Sequence, residues 1–167
     1  MTRDEILALT DDELSAVVEF DFFKRSGNGG QKRNKTSSAV RVTLKEFGVS
    51  AEDCTERSQK LNRIKALQKL KKKLAMSVRQ ETVQEKLTAV SPSNQKYPLF
   101  LARLLDLLES VGFSFKECGL ALGMSSSQVE KLLRKDTALW QYVQKNVQRG
   151  TGNDKCGTIN AESVMRD

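Results

Sequence analysis

The chain has 167 residues, 38% of them hydrophobic and 6% aromatic, with a net charge of +7 and no histidine. That length holds one ordinary domain or two small ones. The missing histidine excludes the commonest general base, the commonest metal ligand and every Ser-His or Cys-His pair, and no run approaches the roughly 18 apolar residues of a membrane span.

The first segment, "MTRDEILALTDDEL", is acidic and lacks the basic-then-apolar order of a signal peptide. Asp11 and Asp12 can cap a short helical turn. "AVVEFDFF" (Ala16 to Phe23) then alternates, with Val18, Phe20 and Phe22 on one face and Val17, Glu19 and Asp21 on the other, which predicts a half-buried strand. "KRSGNGGQKRNK" (Lys24 to Lys35) follows, with three glycines and five basic residues around Gln31. "SAVRVTL" (Ser38 to Leu44) predicts a second strand with Arg41 facing out. "EFG" (Glu46 to Gly48) predicts a turn, and "VSAEDC" (Val49 to Cys54) a third strand.

From Ser58 the period changes. Leu61, Ile64, Leu67, Leu70, Leu74 and Val78 recur at three and four, the stripe of an amphipathic helix. Lys60, Arg63, Lys65, Lys69, Lys71, Lys72 and Lys73 are assigned to its polar face. "SPSNQKYP" (Ser91 to Pro98) holds both prolines and reads as a linker. "LFLARLLDLLESVG" predicts another helix stopped by Gly112. Ser114 then caps a short helix ended by Gly123, and Ser125 or Ser126 caps the next, with Val129, Leu132 and Leu133 inward. Short helix, glycine turn, second helix is the helix-turn-helix pattern; a plain helical hairpin is the alternative. The last 18 residues are rich in Gly, Thr and Asn and read as a disordered tail.

The charge is localised. Residues 1–23 balance at −6, 24–90 at +11, 91–149 at +3 and 150–167 at −1. A block of that sign points to a polyanion, most often nucleic acid. Cys54, Cys118 and Cys156 are odd in number and far apart. They read as reduced thiols of a cytoplasmic protein, not a disulfide frame or a metal site. The glycine stretch is not a Walker A loop, because Lys32 stands where the second glycine is required.

Two separated blocks carry more. Arg25, Ser26, Gly27, Gly29, Gly30, Gln31, Asn34 and Lys35 precede the strand Ser38 to Arg41, and Glu56 to Gln59 with Asn62 lead into the basic helix. In that order they resemble the catalytic domain of class I peptide chain release factors, over about residues 14 to 80. The sequence departs from that family in carrying Lys32 and Arg33 after the tripeptide, in a shortened turn without Pro-Thr-Gly, and in having only about 25 residues before the motif. The last departure makes it similar to stand-alone, codon-independent members, which act on stalled ribosomes. Those relatives often anchor through a basic tail, which this one lacks.

The resemblance implies an α+β fold, a small mixed sheet of three to four strands with a long basic helix. A small all-helical unit follows. The expected division is a catalytic domain over 1–90, a linker over 91–98, a helical domain over 99–149 and the tail. The implied activity is hydrolysis of the peptidyl-tRNA ester on the ribosome without stop-codon reading. Gly29 and Gly30 would bring backbone against RNA, and the Gln31 N–H would stabilise developing negative charge. RNA contacts are expected from Lys24, Arg25, Ser26, Lys32, Arg33, Asn34, Lys35, Arg41, Arg57, Lys60, Arg63, Lys65 and Lys69, and from Lys131, Arg134 and Lys135 in the second domain. The implied partners are peptidyl-tRNA and large-subunit ribosomal RNA at the peptidyl transferase centre. No metal, small-molecule cofactor or membrane is expected, and the chain is expected to be a monomer. Two alternatives stay open: a non-catalytic ribosome- or RNA-binding protein, and a DNA-binding regulator using the helix-turn-helix.

Overall fold

Thr2 and Thr10 start the chain's first two helices in the same way. Each threonine sits in extended backbone, its hydroxyl accepting from the N–H three residues on while the glutamate there accepts from the threonine N–H. These capping boxes open α1 (Arg3–Ala8) and α2 (Asp11–Val17). The cap of α2 is therefore Thr10, not Asp11 or Asp12, which occupy its first turn and favour the positive end of the helix. The helix runs on through Ala16 and Val17, so the first strand begins later than the alternation predicts. The computed structural model describes residues 1–24, 38–81 and 87–153.

The strands are β1 (Glu19–Phe23), β2 (Ala39–Leu44) and β3 (Val49–Asp53), in the order β1-β2-β3. Both pairings are antiparallel. Among the described residues the sheet is thus a three-stranded antiparallel meander, not a mixed one, because each connection returns to its neighbour as a hairpin. Between β2 and β3 a 3₁₀ turn (Lys45–Phe47) closes on Gly48, whose φ of 62° suits a residue without a Cβ.

The long helix α3 (Gln59–Ser77) starts at the Ser58 cap. It lies over β2 and β3. Leu67, Leu70 and Leu74 go to 2% exposure or less against Val40, Val42 and Leu44, which do the same from the sheet. Each such side chain contributes roughly 1.5–3 kcal/mol of burial. The stripe is not continuous: Leu61 is 48% exposed and Ile64 half-buried. Lys71, expected on the polar face, is buried, with its ammonium donating to the Leu9 carbonyl (2.7 Å) and paired with Asp11 (3.0 Å). It stands four residues after Leu67 and three before Leu74, on the inner arc of the helix.

Two compact units divide the chain, Met1–Asp106 and Leu107–Asp167, and the division falls inside α4 (Tyr97–Ser110). In the first unit, Arg3 is 1% exposed and grips Asp106 with two nitrogens (2.9 and 2.6 Å). It also donates to the Val78 carbonyl (2.9 Å). In the second unit, α5 (Phe115–Leu122) is capped by Ser114 and ends at Gly123, φ 66°. Ser125 caps α6 (Ser126–Arg134) with a capping box to Gln128, and α7 (Thr137–Asn153) follows. Val129 and Leu133 are buried as expected, whereas Leu132 and Trp140 are half-buried. Helix α7 reaches Asn153, past the start expected for a disordered tail, because each added residue gains one hydrogen bond once the helix exists. No described helix is long and apolar enough to cross a membrane.

Candidate nucleic-acid interface

The β1–β2 hairpin carries the glycine-rich stretch. Its last paired rung is Phe23 opposite Ala39. Gly29, Gly30 and Gln31 lie outside the described residues, as do Arg25, Ser26, Lys32, Arg33, Asn34 and Lys35. The two stems of that segment are described, and the downstream stem is held firmly.

Asn62 does the holding. It is completely buried in the first turn of α3. Its amide nitrogen donates to the carbonyls of Ser38 (2.7 Å) and Glu56 (2.9 Å), and its oxygen accepts from the Glu56 N–H (2.8 Å). One side chain thus ties the residue where the chain re-enters β2 to the segment Glu56 to Gln59. Nearby, the Thr55 N–H and hydroxyl both donate to Asp53 (2.8 Å each). The stem that follows the first sequence block, at Ser38, and the second block thus meet at one corner of the fold.

The described cations sort into two groups. Several have carboxylate partners. Arg41 lies across the sheet between Glu52 (3.2 Å) and Asp21 (4.0 Å), with its guanidinium 5.2 Å from the centre of the Phe23 ring. Lys65 pairs with Glu56 at 2.5 Å, which raises its pKa. Lys69 pairs with buried Asp53 at 2.6 Å. Burial pushes the Asp53 carboxyl up, but the Lys69 and Thr55 hydrogen bonds outweigh it and hold the group below its ordinary value. Lys69 and Lys73 also donate to the Glu52 (3.4 Å) and Ser50 (2.8 Å) carbonyls, on the outer edge of β3. Blocking an edge with lysines prevents further strand pairing. A shallow groove of about 530 Å³ opens beside this edge, lined by Arg41, Glu52, Lys69 and Lys73 among others.

The second group is exposed and has no carboxylate partner among the described residues: Lys24, Arg57, Lys60 and Arg63. Arg57, Lys60 and Arg63 lie at the start of α3, the end that Asn62 ties to the glycine-stretch stem. The sequence does not reveal this sorting, because it depends on which carboxylates the sheet and helix bring into reach. Arg63 instead lies 4.1 Å over the Phe20 ring.

In the second unit Lys131 and Lys135 are exposed, whereas Arg134 pairs with Glu130 (2.7 Å) and lies 4.5 Å over the Trp140 ring. The turn between α5 and α6 is tight. A Cβ at Gly119 would stand 2.6 Å from the Met124 carbonyl oxygen. Burial pushes the Cys118 thiol up to about 11, so it is a core group, not a nucleophile. No cluster of potential metal ligands occurs among the described residues.

Peptide chain release factor 1 of Xylella fastidiosa (strain 9a5c) is 48% identical over 66 residues, a match that covers 40% of this chain and 18% of that protein. The chain thus spans less than a fifth of the length of that curated relative. The model of the RF-1 domain matches residues 11–97, just over half of the chain and the whole of the sheet and α3. With the Gly-Gly-Gln segment and the Glu56–Asn62 corner inside that match, the chain belongs to the RF-1 domain family of class I peptide chain release factors.

Proposed function

We propose that the protein hydrolyses the ester of peptidyl-tRNA on the ribosome without reading a stop codon, in rescue of stalled ribosomes or in a specialised termination. The observation that carries this reading is the Gly-Gly-Gln tripeptide in its Arg25 to Lys35 context, on a hairpin whose return stem is tied by Asn62 to the second sequence block. The substrate ester lies in a pocket of ribosomal RNA. Glycines at 29 and 30 remove the side chains that would keep backbone away from it. The Gln31 N–H stabilises the oxygen on which charge develops, an effect worth about 3–4 kcal/mol in other enzymes. The Gln31 side chain shapes the space so that water attacks. The base that histidine would supply comes from the substrate's ribose hydroxyls and the ribosome. Lys24, Arg57, Lys60 and Arg63, with the cations of the glycine stretch, meet RNA phosphates.

Residues 97–149 act in this reading as a module that selects the ribosome state. A catalytic unit with so basic a face binds RNA of many kinds, and preference has to come from elsewhere. Of its three expected RNA contacts, Lys131 and Lys135 are exposed, while Arg134 is held by Glu130 and Trp140.

The test is peptide release from stalled ribosomes by the full chain. Gly30→Ala should nearly abolish release with binding retained, and Gln31→Ala should be milder because it keeps the N–H. Binding without release by the unaltered chain would favour the non-catalytic alternative. A Gln31→Ala defect far worse than that of Gly30→Ala would overturn the backbone mechanism.

A further inference from the structure

Among the described residues, no element covers the inner face of β1. Phe20 and Phe22 project to the same side as Val42 and Val40, their partners across the β1–β2 ladder. Both valines are fully buried beneath α3, yet Phe22 is 44% exposed and Phe20 half-exposed. The cause is the position of the helix, which lies over β2 and β3 and stops short of the edge strand. The two rings are parallel within 8°, with centroids 6.2 Å apart. Phe22 is the more open of the two, and adjoining rings exposed within a polar rim mark an interaction site.

The surroundings indicate what. Arg63 lies over Phe20, and Lys60 stands one turn earlier on the same helix face, at the end that Asn62 ties to the hairpin stem. Neither has a carboxylate partner among the described residues, in contrast to Lys65, Lys69 and Lys71 farther along the helix. The ligand must therefore offer a flat apolar face and negative charge a few ångströms from it. A second copy of this chain would bring like charges together around the ring. An RNA duplex offers phosphates but keeps its base faces stacked internally.

We propose that Phe22 and Phe20, flanked by Lys60 and Arg63, form a stacking platform for an unpaired RNA base, its adjoining phosphates held by the two cations. The inference rests on the reading that this basic face meets RNA, but not on catalysis. Aromatic rings accept any base, because every base has a π face, so the site selects single-stranded over paired RNA, not a sequence.

The test is fluorescence anisotropy with the full chain, using labelled octaadenylate RNA and a blunt RNA duplex of the same length. Phe22→Leu keeps the apolar volume and removes the ring; Phe22→Tyr keeps both. Phe22→Leu should weaken octaadenylate binding about tenfold, as loss of one base–ring stack does. It should leave duplex binding and the circular dichroism spectrum unchanged, and Phe22→Tyr should bind as the unaltered chain does. Lys60→Gln should lower the slope of log affinity against log salt by about 0.7, the share of one phosphate on a single strand. Wild-type affinity in Phe22→Leu, or an equal loss on duplex, overturns the platform. So does a sedimentation experiment in which the unaltered chain is a dimer and Phe22→Leu a monomer. A chain inactive in peptide release but with Phe22-dependent binding leaves this inference standing; full release without that dependence removes it alone.

Discussion

Replacing Asn62 with leucine should destabilise the Met1–Asp106 unit by about 3 kcal/mol. Three backbone groups lose their partner: the Ser38 carbonyl, the Glu56 carbonyl and the Glu56 N–H. Their surroundings are partly buried, so each loss costs about 1 kcal/mol, the lower end for a polar group left unpaired. Leucine has the same branched skeleton with bulkier ends, so it leaves no cavity. Asn62→Asp separates the donor from the acceptor role. Its carboxylate still accepts from Glu56, but faces two carbonyl oxygens where the amide nitrogen donated. The neutral acid relieves one of them, so the carboxyl pKa is raised on folding. Its stabilising contribution is then full below the unfolded value and lost as pH rises through the folded one. Asn62→Asp should therefore be less stable than the unaltered chain at pH 7 and recover part of the deficit near pH 5. Hydrogen exchange at the β2 amides reports this unit directly, whereas the only tryptophan, Trp140, lies in the other. Exchange free energies changed by less than about 1 kcal/mol in Asn62→Leu would mean that water replaces the amide, and that Asn62 does not hold the hairpin stem.

Acid should weaken the same unit through Asp53. Its folded pKa is lowered, so its contribution is present above the unfolded value and lost as pH falls through the folded one. Asp53→Asn should be less stable than the unaltered chain at neutral pH and lose less on acidification; parallel acid titrations would refute it. Gly119→Ala should lower the stability of the helical unit by about 2 kcal/mol through its clash with the Met124 carbonyl, read by Trp140 fluorescence in urea. An unchanged midpoint would show that the turn yields. Cys118, with its thiol pushed up to about 11 and no exposure, should resist a disulfide reagent in the native protein and react on unfolding. Reaction at the rate of a free thiol would contradict its burial.

Periodicity carried most of the architecture. The alternation in Ser38 to Leu44 and the three-four stripe after Ser58 each correspond to an observed element. The Ser114, Gly123 and Ser125 signals mark the helix ends they predict. What local pattern did not carry was lateral placement. Nothing in "EFDFF" says that α3 sits over β2 and β3 and leaves Phe22 uncovered, since that depends on how the two layers settle. The stripe also misplaced Lys71, because a lysine at an inner position reads as polar until Asp11 and the Leu9 carbonyl arrive to meet it. Of the site, two sequence blocks were legible as a pair, but their junction through Asn62 was not. A buried asparagine is recognisable only by the backbone groups it satisfies.

The Arg3–Asp106 grip has a consequence for the order in which the protein is made. Its partners stand 103 residues apart. Arg3 therefore waits, as the chain is made, for a carboxylate that is added 103 residues later. Until α4 is complete, Arg3 lacks the carboxylate it grips with two nitrogens and keeps only Asp4 and the Val78 carbonyl. Burying Arg3 before Asp106 is there to meet it would cost about 3–5 kcal/mol, which disfavours docking until the pair can form. The sheet and α3 can therefore assemble early from neighbours in sequence, while α1 docks last, as a latch closed by the final helix of its own unit.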